Sequence, residues 1–435
     1  MLDPFTYQNT GSDFLASRRR AMLLDDPGTG KTLQAIMAAR KVGASHMDTL
    51  CPASVTNQWR GVYAENGDDE ADFESFSYER ARDKGVPFRQ FPPRVLAIDE
   101  IHYLNNANAG RTLSVFGREK YGAGSLICRY DYVWGMSGTW MTRDPSVLYP
   151  VMHALIPGSL FSKKTNQTMG EWQFMRRFCK MWDTGHGMKV TGSQNLDELR
   201  ERLAPYYIRR TKADVRADWK KPMKAKLWLD SAKAEKLIAK ADLEPEGQAV
   251  AEAFKRGGFD ALAEFADTDR TGISRYRRYI GLLKVLPVVD WLLDEFDGGL
   301  QKIVIVCVHR EVIETLAEKL QKEEIAAFVF YGGMTAKQKD AAKNAFIAYK
   351  GKAAMVVQIG AAGTGVDGLQ RATGRMLFVE FSWVGADNDQ CLDRLDRIGQ
   401  EENVLAQFAA FEGSLDGAIM KVEARRSYDS FKLFN

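Results

Sequence analysis

The sequence predicts two α/β lobes in tandem, each a doubly wound, mostly parallel sheet with helices on both faces, and three observations carry that prediction. The chain has 435 residues, beyond the size at which a single hydrophobic core keeps growing, so at least two domains are expected. Short apolar runs recur with helix-like segments between them, the pattern of strands buried on both faces and joined by crossover helices. The runs fall into two sets, and the text between them, from about Asp214 to Phe296, is charged, Ala-rich and helical in period, with no strand-like run of note. The expected division is a first lobe over residues 1–210 with a helical insertion at about 161–203, and a second over 211–435 with a helical insertion at about 214–296 and a C-terminal helix.

Taken in order, the first set is AMLL before Asp25, VLAI before Asp99 and YVWGM before Ser137; the second is IVIVCV from Ile303, AMVVQI from Ala354 and MLFVEF from Met376. Behind the first run, DDPGTGKTLQAIMAAR reads as a glycine loop opening a helix. Such a loop surrounds phosphates with backbone N–H groups and the helix N-terminus, with Lys31 reaching the β and γ groups and Thr32 ligating magnesium. The full G-x-x-x-x-G-K-[ST] pattern is not met, because Asp25 stands where the first glycine would be. The flanking strand and helix supply the context that a bare match lacks.

About seventy residues on, VLAIDEIHYL puts Asp99 and Glu100 at the carboxyl end of an apolar strand, where open α/β sheets bind ligands. Asp99 is suited to hold the magnesium and Glu100 to orient and deprotonate an attacking water. The expected cofactors are therefore ATP and Mg2+.

DDPGTGKT, DEIHYLNN and the terminal QCLDRLDRIGQ together resemble the Swi/Snf-related DNA-dependent ATPases, a branch of helicase superfamily two with two RecA-like lobes. The likeness continues in order. Tyr7-Gln8 resembles the Q motif, LCPASVTNQW from Leu50 to Trp59 motif Ia, FSYE from Phe76 to Glu79 motif Ib, and MSGT ending at Thr139 motif III. YYIRRTKADV resembles the lobe-linking segment, KIVIVCVHREV motif IV, QIGAAGTGVDGL motif V and FSWVGADNDQ motif Va. IGLLKV before motif IV and the E-F-S-W phrase after motif V are most similar to the short annealing-helicase, HepA-related branch. Three positions depart from the family pattern: Ile101 in D-E-A-H, Trp140 after S-G-T, and Asp396 in R-x-H-R-I-G-Q.

The resemblance implies a set of roles. Gln8, Asp26, Gly28, Thr29, Gly30, Gly365 and Asp367 would contact nucleotide, while Gln390, Arg394 and Arg397 would face the triphosphate from one face of a helix. His102, Ser137 and Thr139 would couple nucleotide to DNA. Ser54, Tyr78, His309, Gly332, Gly333, Ala361, Gly363, Thr364 and Trp383 would touch DNA, gripping phosphates rather than reading bases. The implied function is a DNA-stimulated ATPase that translocates on duplex DNA, independently of sequence and as a monomer, and remodels branched or protein-bound DNA. A strand-separating DNA or RNA helicase and an ATP-switched binding scaffold remain open. Strand separation needs an element that splits base pairs ahead of the motor. Neither insertion carries an aromatic-tipped hairpin signature, so passage along duplex is expected without efficient unwinding.

Composition neither adds to this reading nor opposes it. Hydrophobic residues make up 45% and charged residues 27%, as in ordinary globular proteins. Lys plus Arg (60) barely exceed Asp plus Glu (57), a net +3, so a DNA strip must be local. The candidates are Arg18 to Arg20, Arg209-Arg210 with Lys212, and Arg275-Tyr276-Arg277-Arg278, the last favoured for its interleaved tyrosine. His46, His153, His186 and His309 and the tryptophans Trp59 and Trp383 default to packing, although His309 and Trp383 stand inside motifs. The five scattered cysteines form no C-x-x-C pair and suit a reduced, cytoplasmic setting. MLDPFTYQN lacks a signal pattern, and no apolar run approaches the roughly 18 residues that span a bilayer.

Overall fold

A computed structural model describes residues 3–117, 125–162, 166–183, 187–216, 218–229, 252, 256, 270–362, 368–382, 385–397, 399–411, 416 and 433. The chain forms two compact units, Met1–Trp219 with Arg426–Asn435, and Lys220–Arg425. The boundary thus falls at Lys220 rather than at 211, and Leu433 belongs to the first unit. The reason lies in the linking segment. Thr211 caps the short helix Lys212–Val215, and the Lys212 backbone N–H donates to Asp26 Oδ2 at 3.0 Å. These contacts keep the segment on the first unit. Leu433, fully buried there, accepts from Arg200 Nε through its carbonyl at 3.0 Å.

The first unit is built on a six-stranded parallel sheet: β1 (Arg20–Leu23), β2 (His46–Cys51), β3 (Asp72–Ser77), β4 (Arg94–Asp99), β5 (Tyr132–Met136) and, after four short antiparallel strands, β10 (Tyr207–Ile208). Spatial order is β10-β1-β5-β4-β2-β3. Two apolar clusters cover its faces. One is centred on Leu96, Ile98, Val133 and Leu155; the other is centred on Ala21, Ile36, Trp59 and Trp134. The strands read from AMLL, VLAI and YVWGM all form, and all are buried as parallel strands require.

The expected helical insertion at 161–203 is a mixed module. β6 (Phe161–Ser162) pairs antiparallel with β7 (Gln167–Thr168), and β8 (Cys179–Asp183) with β9 (Met188–Ser193), around the helices Glu171–Phe178 and Leu196–Leu203. The β8–β9 hairpin carries Trp182, 69% exposed. An aromatic hairpin is therefore present where none was expected. Its strands evaded detection because lysine and other polar residues stand among the apolar ones in both, and Cys179 is the one residue of the two that is buried.

The second unit has the same plan in the order β11-β16-β15-β12-β14-β13, all parallel. Its strands are β11 (Met223–Trp228), β12 (Lys302–Cys307), β13 (Ala326–Phe330), β14 (Ala353–Gln358), β15 (Arg375–Phe378) and β16 (Leu405–Ala410). β11 corrects the all-helical expectation for 214–296. Its M-K-A-K-L-W alternation is a lysine-bearing edge strand, exposed along most of its length, so the apolar-run criterion passes over it. The later part of that stretch is the long helix Arg270–Asp297. Most of residues 230–269 and of the expected C-terminal helix lie outside the described residues. Among the described residues, no helix is long and apolar enough to cross a membrane.

Candidate nucleotide site

Sheet order decides what can meet in the first unit. β1, β5 and β4 are neighbours, with Leu23 paired to Met136 and Met136 to Asp99. The glycine loop after β1, the Asp99-Glu100 pair ending β4 and Ser137 after β5 therefore leave the sheet side by side at its carboxyl edge. Three motifs scattered over about 115 residues of sequence become one site.

The loop takes two left-handed turns, at Gly28 (φ 81°) and Gly30 (φ 77°), conformations a side chain disfavours. They aim the chain into the helix Lys31–Lys41. Lys31 Nζ donates to the carbonyls of Asp25 at 2.8 Å and Asp26 at 3.2 Å. Thr29 is buried, with its hydroxyl donating to the Asp26 carbonyl at 2.9 Å. Asp25, in place of the first family glycine, is fully buried and accepts from the Arg210 backbone N–H at 2.9 Å and from Nε at 3.1 Å. Asp26 accepts from Arg209 at 3.2 Å. Loop and linking segment are thus locked by ion pairs in a dry environment, where losing one partner would strand a buried charge.

Gln8 sits beneath the loop, 5% exposed. Its Nε2 donates to the Thr29 carbonyl at 3.2 Å, as does the Tyr7 hydroxyl at 3.0 Å, and its Oε1 accepts from Phe5 N at 3.0 Å. In this conformation Gln8 binds the chain itself. Reading an adenine would require it to exchange those bonds.

Glu100 adopts φ 51°, rare for a non-glycine residue and a form of strain that clusters at functional sites. Its Oε2 accepts from the Ser137 hydroxyl at 3.3 Å and lies 3.2 Å from His102 Nδ1; His102 Nδ1 is also 3.0 Å from Ser137 Oγ. The Thr139 backbone N–H donates to Ser137 Oγ at 3.1 Å. The residues expected to couple, His102, Ser137 and Thr139, form one chain of contacts ending on the expected general base. Burial, then the adjacent Glu100 carboxylate, pushes Asp99 up to about 6.

Two residues assigned elsewhere belong to this site. Trp59, on the helix Thr56–Asn66 and 1% exposed, donates its indole N–H to Asp99 Oδ2 at 2.9 Å. Tyr78, expected on DNA, is buried, and its hydroxyl donates to the Asp99 carbonyl at 2.6 Å. The sequence signal was available for Trp59: an aromatic with a donor must find an acceptor when buried.

Other assignments are also corrected. Gln390 lies on the helix Gly385–Leu392, but that helix ends before Arg394 and Arg397, which follow in tight turns closed by Arg394 N to Cys391 O at 3.0 Å and Arg397 N to Leu395 O at 3.1 Å. The three do not share a helical face. Arg397 Nε donates to the Asp393 carbonyl at 2.9 Å. His309 pairs through Nδ1 with buried Glu380 Oε1 at 2.6 Å and sits 3.2 Å from Ser274 Oγ, so it serves the second unit's packing rather than an open surface. Ala361 is buried. Gly332 and Gly333 form an exposed turn after β13, where the Gly332 N–H donates to Gln358 Oε1 at 2.8 Å. Gly363, Thr364, Gly365, Asp367, Trp383 and the side chain of Ser54 lie outside the described residues.

Much of the basic clusters is engaged by the fold. Arg20 donates to the carbonyls of Ile127, Tyr130 and Asp131, and Arg18 stacks on Phe14. Arg209 and Arg210 serve the glycine loop, and Lys212 is 4% exposed. Tyr276 is buried, Arg277 donates to the Phe381 carbonyl at 2.6 Å and Arg278 pairs with Glu311. Arg19 and Arg275 remain exposed. Charge runs on a sequence do not show which carbonyls and carboxylates will face them.

The family model of the ATPase family associated with various cellular activities (AAA) matches residues 21–119, the stretch from β1 through the Asp99-Glu100 pair. The SWI/SNF-related matrix-associated actin-dependent regulator of chromatin subfamily A-like protein 1 of Xenopus laevis is 24% identical over 432 residues, covering 94% of this chain and 42% of that protein. The DNA annealing helicase and endonuclease ZRANB3 of Mus musculus is 21% identical over 345 residues, covering 77% and 29%. The chain spans less than half the length of these curated relatives. A solved SWI2/SNF2 ATPase core from Sulfolobus solfataricus in complex with dsDNA is similar over 99% of this chain and 94% of that one, at 18% identity and a TM-score of 0.42, too loose a likeness to carry an argument.

Proposed function

We propose that this chain is a Swi/Snf-related, DNA-stimulated ATP hydrolase that moves along duplex DNA and remodels branched or protein-bound DNA. The observation that carries the reading is the shared register of β1, β5 and β4, which sets the phosphate loop, the carboxylate pair and the Ser137 relay at one sheet edge. Lys31 and the loop N–H groups would bind the β and γ phosphates. Glu100 would orient and deprotonate the attacking water. Ser137 and His102, both on its carboxylate, would report whether it is free to do so.

Magnesium fits the donors present. Thr32 and Asp99 offer hard oxygen ligands, and Asp99 is a half-buried carboxylate crowded by a second one, a situation that a divalent cation relieves. Bound there, the cation would neutralise charge on the phosphates. Trp59 then acts as a positioning residue, fixing one oxygen of Asp99. Trp59→Phe keeps the buried ring and loses the N–H. It is expected to raise the Mg2+ needed for half-maximal ATPase about tenfold, the worth of one hydrogen bond to a charged group, while ATP affinity and melting temperature stay near wild type. A lowered melting temperature with unchanged Mg2+ dependence would make Trp59 a packing residue only.

The annealing-helicase relatives support the finer reading, in which the outcome of motion is remodelling of branched DNA. The test is to titrate ATPase activity with duplex DNA, forked DNA, single strands and RNA. Stimulation by duplex, strongest with forks, is expected; preferential stimulation by RNA would make the chain an RNA motor, and none by any nucleic acid would make it a switched scaffold.

A further inference from the structure

We propose that the β8–β9 hairpin is a binding site for unpaired nucleotides, with Trp182 as the surface on which a base stacks. The inference rests on the nucleic-acid reading above and names the feature of a branched substrate that this chain would recognise. Trp182 is the most exposed large apolar side chain among the described residues, at 69%. Leaving such a ring in water forgoes more burial than any other residue type could offer.

The surroundings of the ring point to its ligand. Trp182 stands directly opposite Lys189 in the antiparallel pair, and directly opposed residues lie on one face. Lys180 and Arg176 are exposed just before it. Residues 161–193 contain six Lys or Arg against two Asp or Glu, a net +4 in a chain whose total is +3. An aromatic ring among cations matches a polyanion that carries flat apolar groups. A plain duplex offers phosphates but keeps its base faces stacked on one another, so the lysines suit it and the tryptophan does not. An unpaired strand offers both, and stacking on an aromatic side chain tolerates any base.

The hairpin is also held as a binding element requires. A two-stranded ribbon alone is marginal in water. Here its base is anchored: Phe174, Phe178 and Cys179 are buried, the Gln194 N–H donates to the Phe178 carbonyl at 2.9 Å, and the Gln194 and Asn195 amides donate to the carbonyls of Arg176 and Arg177 at 3.0 and 2.7 Å. The anchoring fixes Trp182 in place without covering it. A motor that tracks duplex with its core and holds an unpaired base here would distinguish a branch point from uniform DNA.

The test compares wild type, Trp182→Ala and Trp182→Phe in binding labelled oligothymidylate, a forked duplex and a blunt duplex, with blunt-duplex-stimulated ATPase measured alongside. Trp182→Ala is expected to weaken oligothymidylate and fork binding by roughly tenfold or more, the worth of one stacked base. Trp182→Phe should retain most of that affinity, and blunt-duplex binding and ATPase should not change. Wild-type affinity of Trp182→Ala for all three ligands would overturn the proposal, as would an equal loss on blunt duplex. A change confined to oligomeric state in light scattering would overturn it too, by making the ring a protein contact. If no nucleic acid stimulates wild-type ATPase, the motor reading falls, whereas oligothymidylate binding that depends on Trp182 would still uphold the site.

Discussion

Glu100→Gln is expected to bind ATP and DNA like the wild type and to turn over about 10²- to 10⁴-fold more slowly, the usual worth of a positioned general base. The amide keeps the shape of the side chain and an oxygen to accept the Ser137 hydroxyl that now sits 3.3 Å from Glu100 Oε2. It cannot take a proton from water. The φ of 51° that aims the carboxylate is set by the backbone, which donates from Glu100 N to Asp99 Oδ1 at 3.0 Å and accepts from Tyr103 N at 2.9 Å, so the substitution leaves the turn intact. Single-turnover hydrolysis with filter binding of ATP checks both halves. Wild-type turnover would remove Glu100 from the chemistry.

Arg397→Ala is expected to lower turnover by about 10³-fold with ATP affinity changed only a few-fold. We propose that its guanidinium meets charge that grows on the γ-phosphoryl group in the transition state, an effect worth about 10³ to 10⁵ in related systems. The turn that carries Arg397 is itself well held, since the Gln400 amide donates to the carbonyls of Thr373 and Leu395, each at 3.1 Å. Removing the side chain should therefore not unfold its surroundings. A loss of ATP affinity equal to the whole loss of rate would make Arg397 a ground-state ligand instead.

How much of this was legible in the sequence depends on whether the signal is local. The glycine loop, the Asp99-Glu100 pair and Ser137 could be placed because each follows an apolar run dense enough to be a buried parallel strand, and strand ends are where such sheets bind ligands. The contacts that tune the site were not legible. Trp59 lies 40 residues from Asp99 and Arg210 185 residues from Asp25, and no local period reports which buried carboxylate a distant donor will meet. The same limit hides the partners of Arg20, Arg209, Arg210 and Arg277, which are carbonyls and acids brought in by the fold. β11 and the β8–β9 hairpin were missed for a different reason: their residues are solvated on most sides, so they lack the apolar density that marks a strand. The helix expected to carry Arg394 and Arg397 ends at Leu392, where the chain closes into tighter turns from Arg394 N to Cys391 O and from Arg397 N to Leu395 O, a choice that spacing by four and three cannot foretell.

Displacement of a third strand from a triplex reports ATP-driven movement along intact duplex DNA. Wild type is expected to displace the third strand with ATP, and Glu100→Gln is not. Efficient unwinding of a forked duplex without any third-strand displacement, under the same ATP and salt, would contradict it.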